Sequence, residues 1–99
     1  MGSFRFTPAA EDDLFDIWSF IALDNPLAAD RLQSDLQAAC QRVADKPDLG
    51  HWRRDLTDKP VRFFTVRHTY LIVYDPASEP LAVIRVLHGA RDASAHLEE

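Results

Sequence analysis

Between Leu81 and His88 the chain reads Leu-Ala-Val-Ile-Arg-Val-Leu-His, apolar except at Arg85 and His88, and Gly89 follows. A short apolar run ended by glycine is the pattern of a strand covered on both faces. Val61–Arg67 and Tyr70–Tyr74 share this β-branched and aromatic composition, and their closeness in sequence predicts a three-stranded antiparallel meander. Ser3-Phe-Arg-Phe6 alternates, which predicts a short first strand with Phe4 and Phe6 on one face. The period then changes. Ala10, Leu14, Ile17, Trp18 and Ile21 recur at helical spacing, as do Ala28, Leu32, Leu36, Ala39, Cys40 and Val43.

Helix starts are written into the same stretch. Thr7-Pro8 and Asn25-Pro26 each place a capping side chain before a proline suited to the first helical position, and Glu11, Asp12 and Asp13 favour the positive end of a helix dipole. These signals predict one helix from about residue 8 to 23 and another from 26 to about Asp45, closed by Pro47 and joined as a hairpin. The expected fold is α+β, in the order βααβββ: a helical hairpin packed on a small, mainly antiparallel sheet. A meander cannot hide both faces, so the helical half is expected to supply its cover. Residues 48–60 lack a period and read as an ordered loop anchored by Trp52. The turn at Arg67-His-Thr69 lacks the Asn-Gly signal of the tightest hairpins, whereas Asp75 to Pro80 forms a longer loop bounded by prolines. Residues 1–99 read as one domain, with 93–99 as a polar, frayed end.

Charge changes this picture only modestly. The net charge is −5, unevenly spread: residues 7–50 carry nine acids against three bases, and 51–92 carry five acids against seven bases. An acidic helical half and a mildly basic sheet half fall short of a nucleic-acid footprint, so no direct nucleic-acid binding is expected. No apolar run approaches the roughly 18 residues of a membrane span, and Met1-Gly-Ser3 opens no basic, apolar export signal. The cytoplasm is the expected location. One cysteine, Cys40, rules out an internal disulfide and sits on the apolar stripe of the second helix, where it reads as a small core residue. His51, His68, His88 and His96 match no compact ligand spacing, and neither a metal nor a cofactor is expected.

Candidate chemistry is sparse. No phosphate-binding loop, dinucleotide fingerprint, zinc motif or nucleophile elbow occurs. Asp12, Asp13 and Asp16 read as a solvated acidic face at a helix start. Tyr70 and Tyr74 share one side of a strand and read as packing residues. Arg85, His88 and Arg91 stand out, because a charge within an apolar strand needs a partner. They form either a structural ion pair, with Asp75 or Asp92 as acid, or a rim where a macromolecular target docks. Phe15, Trp18 and Phe20 cannot all face one core from a single helix, so Phe15 or Phe20 is expected to be exposed or covered by a partner.

The chain resembles the RelE/ParE superfamily of bacterial toxins from toxin–antitoxin modules, and the ParE branch most closely. The resemblance is carried by Thr7-Pro-Ala-Ala-Glu-Asp-Asp-Leu14, Ile17-Trp18, Asp24-Asn-Pro26, Ala28-Ala-Asp-Arg31, Pro47-Asp-Leu-Gly50, Tyr70-Leu-Ile-Val-Tyr74 and Arg85-Val-Leu-His-Gly-Ala-Arg-Asp92. It implies a toxin of a type II module, neutralised by a cognate, ParD-like antitoxin whose C-terminal segment wraps the helical hairpin and sheet. A hetero-oligomer of toxin and antitoxin is implied with it. ParE-like members imply inhibition of DNA gyrase by binding; RelE-like members imply cleavage of messenger RNA on the ribosome. RelE-type enzymes carry lysines on the second strand, an arginine after the third-strand tyrosine, another near the fourth-strand exit and a tyrosine near the C-terminus. Here those places hold Phe63 and Thr65, Leu71, and no tyrosine after Tyr74; Arg91 alone matches. The resemblance therefore implies a non-enzymatic toxin, with Arg85, His88 and Arg91 as target-binding candidates and Phe15, Trp18 and Phe20 as antitoxin-binding candidates. A toxin-like scaffold kept only as a partner-binding module is the third alternative.

Overall fold

The computed structural model describes residues 2–89. In chain order these form β1 (Phe4–Phe6), α1 (Pro8–Ala22), α2 (Pro26–Asp45), a 3-10 turn at Pro47–Leu49, β2 (Arg62–Val66), β3 (Tyr70–Asp75) and β4 (Leu81–His88). Both helices begin as their capping residues require. Thr7 Oγ1 accepts the Ala10 N–H at 3.2 Å, Asn25 Oδ1 accepts the Ala28 N–H at 3.0 Å, and proline opens each helix. Only Leu23, Asp24 and Asn25 separate the helices, so α2 folds back on α1.

The sheet order is β1-β4-β3-β2. The last three strands form the antiparallel meander, and β1 joins outside β4 in parallel, with Phe4 opposite Leu81 and Phe6 opposite Val83. A parallel neighbour needs a long crossover, and the chain between β1 and β4 provides it. The helices cover one face. Leu14, Leu32, Leu36, Cys40 and Val43 pack there against Ile72, Tyr74, Val83 and Val86.

The other face was expected to be covered by the helical half as well, and it is not. Phe63, Leu71, Val73 and Leu87 form a second, smaller core beneath Leu56 and Val61. The physical reason lies in β3, where Leu71, Ile72, Val73 and Tyr74 are all buried. Strand alternation sends half of these away from the helices, and the loop before β2 supplies the lid. Leu56, 6% exposed, anchors that loop; Trp52, expected in that role, is 42% exposed.

Tyr74 pins the start of the loop. Its buried hydroxyl donates to the Pro47 carbonyl at 2.6 Å and accepts the Gly50 N–H at 2.8 Å. Burial raises the phenol above its ordinary pKa, against the opposing effect of the Gly50 hydrogen bond. Glycine is required at position 50, because a Cβ there would stand 2.5 Å from the tyrosine oxygen. Tyr74→Phe leaves the Gly50 N–H without its acceptor. It is expected to cost about 1–3 kcal/mol in a urea titration with an unchanged m-value; a midpoint equal to that of the parent chain would contradict this role.

The β2–β3 turn passes through Arg67 and His68 at φ 54° and 59°. Both central residues are left-handed, as primed hairpin turns require, although neither is the usual Asn or Gly. Arg67 also ties this tip to α2, donating two hydrogen bonds to Asp35 Oδ2 at 2.8 and 2.6 Å.

Candidate functional site

On α1 the buried stripe runs through Ala10 and Leu14, with Ile17 and Ile21 packed against the same core. At 100° per residue Phe15 and Phe20 stand on opposite flanks of this stripe, and they are 67% and 78% exposed. Both aromatics favoured for exposure are therefore uncovered. Leu23 and Leu27, at the bend between the helices, are 88% and 58% exposed. One such side chain is ordinary on a surface; four on one hairpin leave uncovered apolar side chains on both flanks of its buried stripe.

The three aromatics of α1 do not share a site. Phe15 and Trp18 line a depression of about 450 Å3 with Phe6, Leu14 and Gln37, whereas Phe20 lines another of about 400 Å3 with Asp16, Ile17, Ile21, Tyr70 and His88. Trp18 is half-buried, and its indole N–H donates to Asp30 Oδ1 on α2 at 2.9 Å. His88 is exposed and sets its ring edge-on to Tyr70, with centroids 5.2 Å apart, as their opposition in the β3–β4 register requires. The groove therefore joins one antitoxin-binding candidate, Phe20, to one target-binding candidate, His88.

Arg85 has a different setting. Its guanidinium makes a two-pronged pair with Asp13 of α1, Nε to Oδ2 at 2.7 Å and Nη2 to Oδ1 at 2.8 Å. Asp75 is not this partner, and Asp92 lies outside the described residues. Asp13 Oδ2 also accepts the Val86 N–H at 3.0 Å. With 13% of its side chain exposed, Asp13 does not belong to the solvated acidic face expected for it, while Asp12 and Asp16 are exposed as expected. The spacing held the signal: Asp13 sits three residues after Ala10 and four before Ile17, on the packed side of the helix. Arg91, the third residue of the target-binding set, lies outside the described residues.

Elsewhere the potential chemistry is quenched. Cys40 is 1% exposed, and burial pushes its thiol up to about 12, so it stays protonated at neutral pH. Phe63 and Leu71 are buried in the smaller core. Among the described residues no cluster of three or more His, Cys, Asp or Glu could hold a metal ion, and no helix is long and apolar enough to cross a membrane.

The family model for the ParE toxin of the type II toxin–antitoxin system parDE matches residues 4–93. Among solved structures the chain is similar to the chromosomal ParDE toxin–antitoxin system from P. aeruginosa, with a TM-score of 0.71 and 20% identity over 89% of this chain and 96% of that one. No curated protein sequence matches. Two helices on a four-stranded sheet of order β1-β4-β3-β2 agree with that fold, and a family match spanning both helices and all four strands settles the assignment: the chain belongs to the ParE toxins of type II toxin–antitoxin systems.

Proposed function

We propose that this chain is a toxin that inhibits DNA gyrase in the cytoplasm by binding, without catalysis, and that a ParD-like antitoxin neutralises it in a hetero-oligomeric complex. The observation that carries this reading is the uncovered helical hairpin, where Phe15, Phe20, Leu23 and Leu27 face solvent. An amphipathic tail wrapped around the hairpin covers the aromatics of both flanks and fills the depressions beside them, the usual basis of groove recognition. His88 shares a groove with Phe20. A tail seated on Phe20 therefore also covers His88, and neutralisation follows from occlusion of a target-binding surface. Arg85, His88 and Arg91 remain the residues assigned to the target, with Arg85 held in position by Asp13.

Binding is favoured over ribonuclease chemistry by the residues of β2 and β3. Cleavage through a 2′-hydroxyl requires an acid, a base and cations around the phosphate. Phe63 and Leu71 are buried apolar side chains and supply none of these. Purified chain is expected to block DNA supercoiling by gyrase in vitro and to leave messenger RNA on translating ribosomes intact. Unchanged supercoiling at saturating chain would remove gyrase as the target, and cleaved messenger would replace the binding mechanism with an enzymatic one.

A further inference from the structure

The loop before β2 carries a cluster that the toxin reading leaves unused. Two guanidiniums lie over the half-exposed Trp52 ring, Arg62 with its Cζ 4.4 Å from the centroid and Arg54 at 5.3 Å. Such cation–π contacts position a guanidinium while leaving its N–H donors available. Arg54 finds one acceptor, the Asp58 carbonyl at 3.3 Å, and no carboxylate at ion-pair distance among the described residues. Arg62 donates one N–H to the Gly50 carbonyl at 2.7 Å, and its nearest carboxylate, the exposed Asp48, stands 3.9 Å away; its Nε is buried, so the donors it offers a ligand are those of its terminal nitrogens. The neighbouring Arg53 differs. Its two hydrogen bonds to Asp55, at 3.0 and 2.8 Å, hold that carboxyl below its ordinary pKa and occupy the charge.

Guanidiniums fixed in place with unspent donors are suited to a planar, two-oxygen anion. We propose that Trp52, Arg54 and Arg62 form a docking site for carboxylate side chains on an acidic segment of a partner protein. The size of the cationic set decides against nucleic acid. Proteins that hold a duplex typically neutralise roughly six to ten phosphates, whereas two guanidiniums match one or two carboxylates. The site lies beside β2, the edge strand farthest from β1, and it does not depend on which target the toxin acts upon.

The test is a titration of hexaglutamate into the full chain at low salt, followed by the indole N–H resonance of Trp52; Trp18→Phe tells the two indole signals apart. A saturable shift of the Trp52 signal is expected. Arg54→Gln, at an exposed position that leaves the fold intact, is expected to weaken binding about tenfold, and Arg53→Gln less than about twofold. The proposal is overturned by the absence of a saturable shift, or by an Arg54→Gln chain that binds as well as its parent. Inorganic phosphate acting as strongly as the peptide would reduce the site to a general anion hole, and tighter binding of a short DNA duplex would make it a nucleic-acid surface; either result also overturns it.

Discussion

Replacing Asp13 by alanine is expected to destabilise the chain by about 3 kcal/mol. β1 ends at Phe6, opposite Val83, so the outward N–H of Val86 lies beyond the reach of that strand. Asp13 Oδ2 accepts this N–H in place of a strand, and the same carboxylate holds the guanidinium of Arg85 through both of its oxygens. One side chain thus closes the sheet edge, docks α1 on β4 and balances a charge that is 22% exposed. Alanine removes all three contacts at once: the partly buried Val86 N–H loses its acceptor, and the Arg85 guanidinium loses both hydrogen bonds to α1. For a chain of this length the loss corresponds to a fall in Tm of roughly 15 °C by calorimetry. Asp12→Ala, one position earlier but exposed, is expected to cost less than about 1 kcal/mol. Equal melting temperatures for the two variants would show that Asp13 is an ordinary surface acid.

This carboxylate also marks where the sequence stopped being legible. Each element was readable because local chemistry sets it: Thr7-Pro8 and Asn25-Pro26 begin the helices, and the apolar run Leu81–Leu87 forms the strand at the centre of the sheet. The exposure of Phe15 and Phe20 was readable too, from angular positions on a helix that already had a buried stripe. The partner of Arg85 was not. Sequence neighbours suggested Asp75 or Asp92; Asp92 lies outside the described residues, and the acid seen on Arg85 comes from 72 residues away, brought there by the packing of α1 against the β4 edge. The loop lid over the second core escaped for a similar reason. Leu56 and Val61 carry no period, and their burial follows from strand faces that the helices cannot reach.

The second large effect concerns the hairpin. Phe15 and Phe20 are exposed and contribute little to the core, so the double substitution F15D/F20D is expected to leave Tm nearly unchanged. Its effect on the antitoxin is expected to be severe. Aromatic anchors at interface centres typically contribute at least about 2 kcal/mol each, and carboxylates buried in their place lack partners. Affinity for the antitoxin should fall roughly a thousandfold in a calorimetric titration. The substitution also separates two functions. It alters the surface assigned to the antitoxin while leaving Arg85 and His88 in place, so it should weaken neutralisation more than toxicity.

Growth of cells in which the chain and its antitoxin are induced together is the most direct measurement of this account. The parent pair is expected to grow normally, because the tail covers the hairpin and its neighbouring groove, whereas the F15D/F20D chain is expected to arrest growth despite the antitoxin. Rescue of the variant as complete as that of the parent would contradict a toxin silenced through its helical face.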